Sequence, residues 1–161
     1  MTDLDANAFE PGIAWPLERF QESMSDPTHE AEIAYLGQKP AGYMIVHYEP
    51  NQEVYVASLA VSSDARGHKL GEKLLLGGLS RAAQRGCETA TLHVEIGNTP
   101  AEHLYDKYGF VPTGFLSQHY NGRDGKVMTL ANLQSPQNRA FLQDRQQALR
   151  AEMGGFPSKT Y

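Results

Sequence analysis

The feature that most constrains the fold is a change of hydrophobic period near the middle of the chain. Residues 53–61, EVYVASLAV, are rich in β-branched and aromatic side chains, as expected of a strand. Residues 70–85 then place Leu and Ala along one stripe with the 3.6-residue period of a helix, and residues 89–95, TATLHVE, return to a strand pattern. Strand, helix and strand of these lengths predict a βαβ crossover and therefore a parallel strand pair.

The flanking segments alternate between strand-like runs and helical stripes, separated by Gly, Pro and Asn turns. They predict helices at residues 17–26, 99–108 and after Leu133, and strands at residues 32–36, 41–48, 114–119 and 126–130. Ser135 and Pro136 suit the cap and first turn of the last helix, and residues 154–161 suit a loose tail. We therefore expect an α/β domain over residues 1–133, and a C-terminal amphipathic helix with a tail over residues 134–161.

Length and composition bound the class of protein. The chain has 161 residues, 40% of them hydrophobic and 20% charged, which suits one folded domain and argues against disorder. The 14 Lys and Arg against 19 Asp and Glu give a net charge of -5, which disfavours a nucleic-acid partner. No apolar run approaches the roughly 20 residues that cross a bilayer, and the start lacks a signal-peptide pattern. We expect a cytoplasmic monomer or homodimer with no membrane partner.

The histidines and the cysteine do not follow a metal-binding pattern. His29, His47 and His103 are scattered along the sequence, and the single cysteine, Cys87, suits a small core residue. A zinc motif needs closely spaced Cys or His pairs, which the sequence lacks. We therefore expect no metal.

A basic loop with small residues lies between the strand at 53–61 and the helix that follows it. Its residues include Arg66, Gly67, His68 and Lys69. A helix N-terminus presents unpaired N–H groups and the positive end of its dipole, and glycine lets the backbone approach an anion closely. The loop therefore suits a phosphate or pyrophosphate. From the loop alone, a solvated basic turn is an equally good interpretation.

A second polar cluster is predicted on and after the strand at residues 89–95. Alternation places His93 and Glu95 on one strand face, where they form an acid–base pair or a solvent-facing edge. Asn98 lies at the start of the next helix and suits its N-cap. Tyr105 lies among apolar neighbours in that helix, where a tyrosine usually packs and hydrogen-bonds its hydroxyl.

Together these two segments resemble the GCN5-related N-acetyltransferase (GNAT) superfamily. Residues 66–71, RGHKLG, resemble its acetyl-CoA pyrophosphate loop, written Q/R-x-x-G-x-G/A. Residues 98–110, NTPAEHLYDKYGF, resemble the stretch N-x-x-A-x-x-L-Y-x-x-x-G-F. The resemblance covers roughly residues 8–130 and is nearest the bacterial ribosomal-protein N-terminal alanine acetyltransferases.

The resemblance implies an α/β fold whose mixed, mostly antiparallel sheet splays into a V, flanked by helices, with acetyl-CoA in the split. Residues 1–133 would then form the acetyltransferase domain. The implied cofactor-binding residues are Leu59, Ala60 and Val61 for the pantetheine, Arg66, Gly67, His68, Lys69, Leu70, Gly71 and Glu72 for the pyrophosphate, and Asn98.

The resemblance also implies direct attack of a primary amine on the thioester, in a ternary complex. Tyr105 matches the family's usual general acid. The alanine acetyltransferases carry their base in the pattern L-E-V-R, and this chain has Leu92-His93-Val94-Glu95. His93 therefore stands at the base position, and Glu95, in place of the arginine, orients it or attracts the cationic amine.

The acceptor and its site stay open at this stage. The acceptor is a protein N-terminus or a small amine. His119 and Tyr120 lie in a segment that resembles the family's acceptor side, although a plain strand edge explains them equally well. The alternative function is a non-catalytic acyl-CoA-binding or regulatory module on the same scaffold.

Three features depart from the family pattern. Lys69 stands where the loop motif usually has glycine, so the loop must accommodate a side chain there. The start, MTDLDANAF, leaves almost no room for the family's first strand, and Trp15-Pro16 reverses a family Pro-Trp pair. The tail beyond Leu133 is expected to pack where that first strand would lie, or to join a dimer.

Overall fold

The computed structural model describes residues 17–153 and 158–160, which form one seven-stranded sheet with four helices. The elements are α1 (Leu17–Ser25), β1 (His29–Leu36), β2 (Lys39–Glu49), β3 (Glu53–Val61), a 3₁₀ turn (Ser63–Ala65), α2 (Leu70–Gln84), β4 (Thr89–Glu95), α3 (Thr99–Lys107), β5 (Val111–Tyr120), β6 (Arg123–Leu130), α4 (Pro136–Met153) and β7 (Ser158–Thr160). The strand order is β5-β6-β4-β3-β2-β1-β7. The predictions for the first strand and for Trp15-Pro16 concern residues outside these ranges.

The predicted crossover is present and forms the centre of the molecule. β3 and β4 pair in parallel, and α2 connects them, while the other strand pairs of the described chain are antiparallel. Leu74, Leu75 and Leu79 of α2 are completely buried against the sheet. Gly78 permits this close packing, because a Cβ built there would lie 1.9 Å from Met44 Cε on β2. The mixed, mostly antiparallel fold class is confirmed.

Two strands differ from the sequence prediction. Residues 158–160 are not a loose tail, because they pair antiparallel with β1 in the register Ser158 to Ala34 and Thr160 to Glu32. They thereby satisfy backbone groups that an edge strand leaves open. β1 also begins at His29, earlier than predicted, because the polar residue Glu30 is buried in ion pairs with Arg81 of α2 and with Arg85, which follows that helix.

The C-terminal helix α4 packs against α2. Ser135 caps it as predicted, since its Oγ accepts the N–H of Asn138 at 3.1 Å. Leu142 and Leu149 of this helix are buried in the main core. None of the helices in the described ranges is long and apolar enough to span a membrane.

Candidate active site

The sheet opens between β3 and β4. Their pairing covers only four residues of each strand, from Glu53 opposite Thr89 to Val56 opposite Leu92. β3 nevertheless continues to Val61, and β4 to Glu95. The two strands therefore separate into the predicted V, and residues 59–61 are held by β2 on one side only. An extended ligand can pair with the other side of this segment as an added strand.

The basic loop lies at the wide end of this gap. Arg66, Gly67, His68 and Lys69 are all exposed, and α2 begins at the next residue. Lys69 occupies the N-cap position, and its side chain makes no capping hydrogen bond. By helix geometry the N–H groups of the first turn, at residues 70–72, have no partner within α2. The loop thus presents main-chain donors and positive charge, as an anion site requires.

Lys69 takes a backbone conformation that glycine normally takes. Its φ is +60°, and the left-handed region is about 1–2 kcal/mol less favourable for residues with a Cβ. Its ammonium forms an ion pair with Glu152 at the end of α4. The departure from the family motif is therefore accommodated by a left-handed lysine tied to the C-terminal helix.

Substitutions at Lys69 should separate the cost of its left-handed backbone from the contribution of its ion pair with Glu152. We expect Lys69→Gly to change the free energy of unfolding by less than about 1 kcal/mol, because relief of strain is offset by greater unfolded-chain freedom. Lys69→Val should lower it by about 1–2 kcal/mol, because a β-branched residue resists positive φ. Urea denaturation measures both. Equal decreases in the free energy of unfolding for the two variants would show that the lost contact with Glu152, and not the backbone conformation, determines the effect of substitution at Lys69.

His93 lies on the sheet face opposite α2. Along β4, Leu92 and Val94 are buried in the core, while His93 alternates to the other face and is half-buried. Its Nδ1 lies 3.3 Å from the Tyr55 hydroxyl, and its ring meets the His119 ring edge-on at 5.3 Å. Burial, together with the nearby His119, lowers the pKa of His93. The imidazole is therefore neutral near pH 7 and able to accept a proton.

Glu95 is paired with an arginine at the start of β6. It forms an ion pair with Arg123 at 3.0 Å, while the His93 ring contacts Tyr55 and His119. Tyr120 also borders this carboxylate. Burial raises the pKa of Tyr120 to about 12, with further contributions from the charges of Tyr55 and Glu95.

Tyr105 lies inside the molecule beside the gap. A Cβ built on Gly71 would lie 3.7 Å from Val61 Cγ2 and 3.9 Å from Leu104 Cδ2, so α3 borders the end of β3 and the start of α2. Tyr105 is 7% exposed and packs edge-on against Phe110. Burial raises the pKa of its phenol to about 12, and Tyr120 adds to the shift. Within the described chain its hydroxyl makes no hydrogen bond, so this proton is available to a ligand.

Asn98 lies at the N-cap position of α3, as predicted, but its side chain makes no capping hydrogen bond. The residue is exposed, so the amide group is free to contact a ligand. The structure therefore brings the end of β3, the start of α2 and α3, which carries Tyr105, next to one another.

Sequence reasoning missed Tyr55 and Arg123. Tyr55 pairs in register with Thr91, two residues before His93 on the same strand face, so the parallel register is the signal that would have found it. Arg123 falls between the strands predicted at residues 114–119 and 126–130. β6 in fact begins there, after the turn at Asn121 and Gly122, and this brings the guanidinium to Glu95.

Residues 2–110 match the sequence profile of the acetyltransferase (GNAT) family. The match spans more than half of the chain, and the sheet shows the split expected of that family. The chain therefore belongs to the acetyltransferase (GNAT) family, and the resemblance found in the two motifs is confirmed.

Individual relatives agree with this assignment. A Bacillus subtilis protein provisionally named as a ribosomal protein bS18 alanine N-acetyltransferase is 30% identical over 78 residues, covering 47% of this chain and 52% of its own length. A mycothiol acetyltransferase of Corynebacterium glutamicum is 36% identical over 101 residues, covering 60% of this chain and 34% of its own. The chain thus spans about half and about a third of these curated relatives.

A solved structure shares the fold. The ribosomal-protein-S18-alanine N-acetyltransferase from Escherichia coli superposes with a TM-score of 0.71, over 81% of this chain and 84% of that one. The sequence identity is 22%, so this likeness shows the common architecture alone.

Proposed function

We propose that the chain transfers an acetyl group from acetyl-CoA to a primary amine by direct attack within a ternary complex. The observation that carries the proposal is the gap between β3 and β4, with the uncapped start of α2 at one end and the buried Tyr105 phenol beside it. Acetyl-CoA bound there meets main-chain N–H donors for its pyrophosphate and an acid, the Tyr105 phenol, for its leaving sulfur.

The residues around the gap suit acetyl-CoA, which supplies the activated acetyl group. The backbone of Leu59, Ala60 and Val61 is placed to pair with an extended amide chain such as pantetheine. The N–H groups of the loop and first helical turn suit the pyrophosphate, and the Asn98 side chain suits a further polar contact. The proposed set for the loop is Arg66, Gly67, His68, Lys69, Leu70, Gly71 and Glu72.

His93 is the proposed base. A proton on Nδ1, facing the Tyr55 oxygen, leaves the Nε2 lone pair free to take a proton from the acceptor ammonium. The amine then forms the C–N bond as the C–S bond breaks. Tyr105 donates its proton to the departing sulfur, and the second proton lost by the nitrogen restores the Tyr105 phenol.

The pH dependence of kcat/KM tests this role. Protonated His93 cannot accept a proton from the acceptor ammonium, so kcat/KM should fall at acidic pH. The midpoint of this fall should lie below 6.5, the usual pKa of histidine, because the pKa of His93 is lowered. His119→Asn should move that midpoint upwards, because it removes a nearby positive charge and admits water. His93→Gln should reduce the rate by about 100-fold and abolish the acidic limb. An unchanged limb in His93→Gln would show that another group is the base.

Glu95 is the proposed attractor of the cationic acceptor. Its carboxylate is half-buried and held by Arg123, which fixes its position beside the His93 strand face. Glu95→Gln should therefore raise KM for a cationic amine more than it lowers kcat.

Release of free thiol from acetyl-CoA measures the function directly. The panel contains peptides with free N-termini, amino acids and polyamines, and a peptide with a blocked N-terminus and no lysine is the negative control. Turnover with one class identifies the acceptor as an α-amine or a small amine. Tight CoA binding without turnover on any amine would instead favour a non-catalytic acyl-CoA-binding module.

A further inference from the structure

Two histidines far apart in the sequence meet across the β1–β2 strand pair. His29 begins β1 and pairs in register with His47 near the end of β2. Their rings stack with 4.3 Å between centroids and 4° between planes. Asp26, in the turn after α1, approaches the same place, and its Oδ2 lies 3.3 Å from His29 Nδ1. The spacing in the sequence gives no sign of this cluster, because strand pairing creates it.

The distances suit a shared cation. One ligand atom from each of Asp26, His29 and His47 lies within 4.8 Å of the other two. Zinc–nitrogen and zinc–oxygen bonds of about 2.0–2.2 Å place neighbouring ligand atoms of a tetrahedral site about 3.3 Å apart. The Asp26 to His29 distance already has this value. The stacked rings must turn about their Cβ–Cγ bonds to point both lone pairs at one ion, and that torsion has broad minima.

We propose that Asp26, His29 and His47 bind a divalent transition-metal ion of the zinc class. Imidazole nitrogen with one carboxylate is a ligand set that zinc accepts, and three protein ligands leave a fourth position for water. The site is independent of the proposed acetyl transfer, because it uses none of the residues assigned to that reaction.

The surroundings of the cluster orient its ligands. Asp26 Oδ1 accepts hydrogen bonds from the Thr28 N–H at 2.9 Å and the Thr28 hydroxyl at 2.7 Å, which directs Oδ2 to His29. On the other side, Glu49 Oε1 lies 3.0 Å from His47 Nδ1. A carboxylate there favours the proton on Nδ1 and leaves Nε2 free, as is usual for metal-binding histidines.

Binding of an ion would tie three elements together. Asp26 follows α1 directly, while His29 and His47 belong to two strands of the sheet. The ion therefore joins the turn after α1 to β1 and β2, and it should stabilise the native chain by mass action.

Equilibrium titration of Zn²⁺ into the full chain, prepared without an affinity tag, tests the site. We expect one ion per chain and a thermal unfolding midpoint that rises with Zn²⁺ concentration. His47→Gln should weaken the binding by about 100-fold, and Asp26→Asn by at least about 10-fold. Glu49→Gln, which changes only the group that orients His47, should cause a smaller loss.

Two controls keep the outcome decisive. His103→Gln, on the exposed side of α3, should bind Zn²⁺ like the native chain. His93→Gln tests the other histidine pair, His93 and His119, and should also leave the affinity unchanged. The proposal is overturned if the native chain binds no ion, if His47→Gln binds as tightly as the native chain, or if His93→Gln alone removes the binding. Because acetyl transfer is not the readout, failure here leaves the proposed function standing.

Discussion

Tyr105→Phe should lower kcat by about 10²–10⁴, the usual contribution of a positioned acid, while the stability and the affinity for acetyl-CoA change little. The phenol is buried against Phe110, and its hydroxyl makes no hydrogen bond within the described chain. The substitution therefore deletes a proton donor without leaving a partner unpaired. Because burial raises the pKa of Tyr105 to about 12, the hydroxyl stays protonated across the working range of pH.

Tyr108→Phe is the matched control for this substitution. Tyr108 lies at the end of the same helix, is also buried, and donates a hydrogen bond to Glu72 at 2.9 Å. Its loss should lower the free energy of unfolding by about 1.5–3 kcal/mol, as for hydrogen bonds to charged groups, with kcat per folded molecule retained. Steady-state thiol release and urea denaturation separate the two variants. Equal kcat values for Tyr105→Phe and the native chain would exclude Tyr105 as the acid.

The central fold could be predicted from the sequence because its signals are local. The 3.6-residue stripe in α2 and the alternation in β4 depend only on side chains a few positions apart, and the observed bounds, Leu70–Gln84 and Thr89–Glu95, are close to those predicted. Ser135 is likewise a local signal, since its cap bond reaches Asn138 three residues later.

Non-local partners explain what the sequence could not predict. The start of β1 looked too polar for a buried strand, and the ion pairs with Arg81 of α2 and with Arg85 after it make Glu30 tolerable there. β7 has three residues and no hydrophobic pattern, so its place depends on open backbone groups of β1. Sequence patterns do not report which distant segment supplies a counter-charge or a strand edge.

The distinction between local signals and non-local partners also holds in the candidate site. The loop and Tyr105 were found because motif spacing is local, whereas their neighbours depend on register. Tyr55 reaches His93 through the parallel pair, and Arg123 reaches Glu95 because β6 starts earlier than the turn pattern suggested. The role of Glu95 as an orienting group for His93 remains a prediction from sequence; in the structure the nearer partner of His93 is Tyr55.

Glu72→Ala should lower the free energy of unfolding, because Glu72 is the shared acceptor of a cluster of ion pairs at the start of α2. Glu72, in the first turn of that helix, is 8% exposed and accepts contacts from Tyr108, Lys107 and Arg145 at 2.7–2.9 Å. Removing the carboxylate leaves Lys107, Arg145 and the Tyr108 hydroxyl without their shared acceptor. We expect the free energy of unfolding to fall by about 2–3 kcal/mol. This is less than the usual cost of breaking a fully buried ion pair, because the Lys107 ammonium returns easily to water.

The loss should extend to acetyl-CoA binding. Arg145 belongs to α4 and Lys107 to α3, so Glu72 holds both helices at the turn whose N–H groups face the proposed pyrophosphate. Glu72→Ala should weaken CoA binding in calorimetry even where the protein remains folded. Asp64→Asn removes a carboxylate from an exposed pair with Lys39 and should change the stability far less.

The pH dependence of stability distinguishes this ion cluster from simple packing. Burial alone would raise the pKa of Glu72, but hydrogen bonds from Lys107, Arg145 and Tyr108 outweigh it and lower the pKa below its usual 4.5. A group with a lowered folded-state pKa stabilises the protein above its unfolded value and loses that contribution as pH falls through the folded value. The stability difference between the native chain and Glu72→Gln should therefore be full at pH 7 and shrink below pH 4.5. A difference that stays constant from pH 7 to pH 3 would mean that the charge of Glu72 does not hold the three helices together.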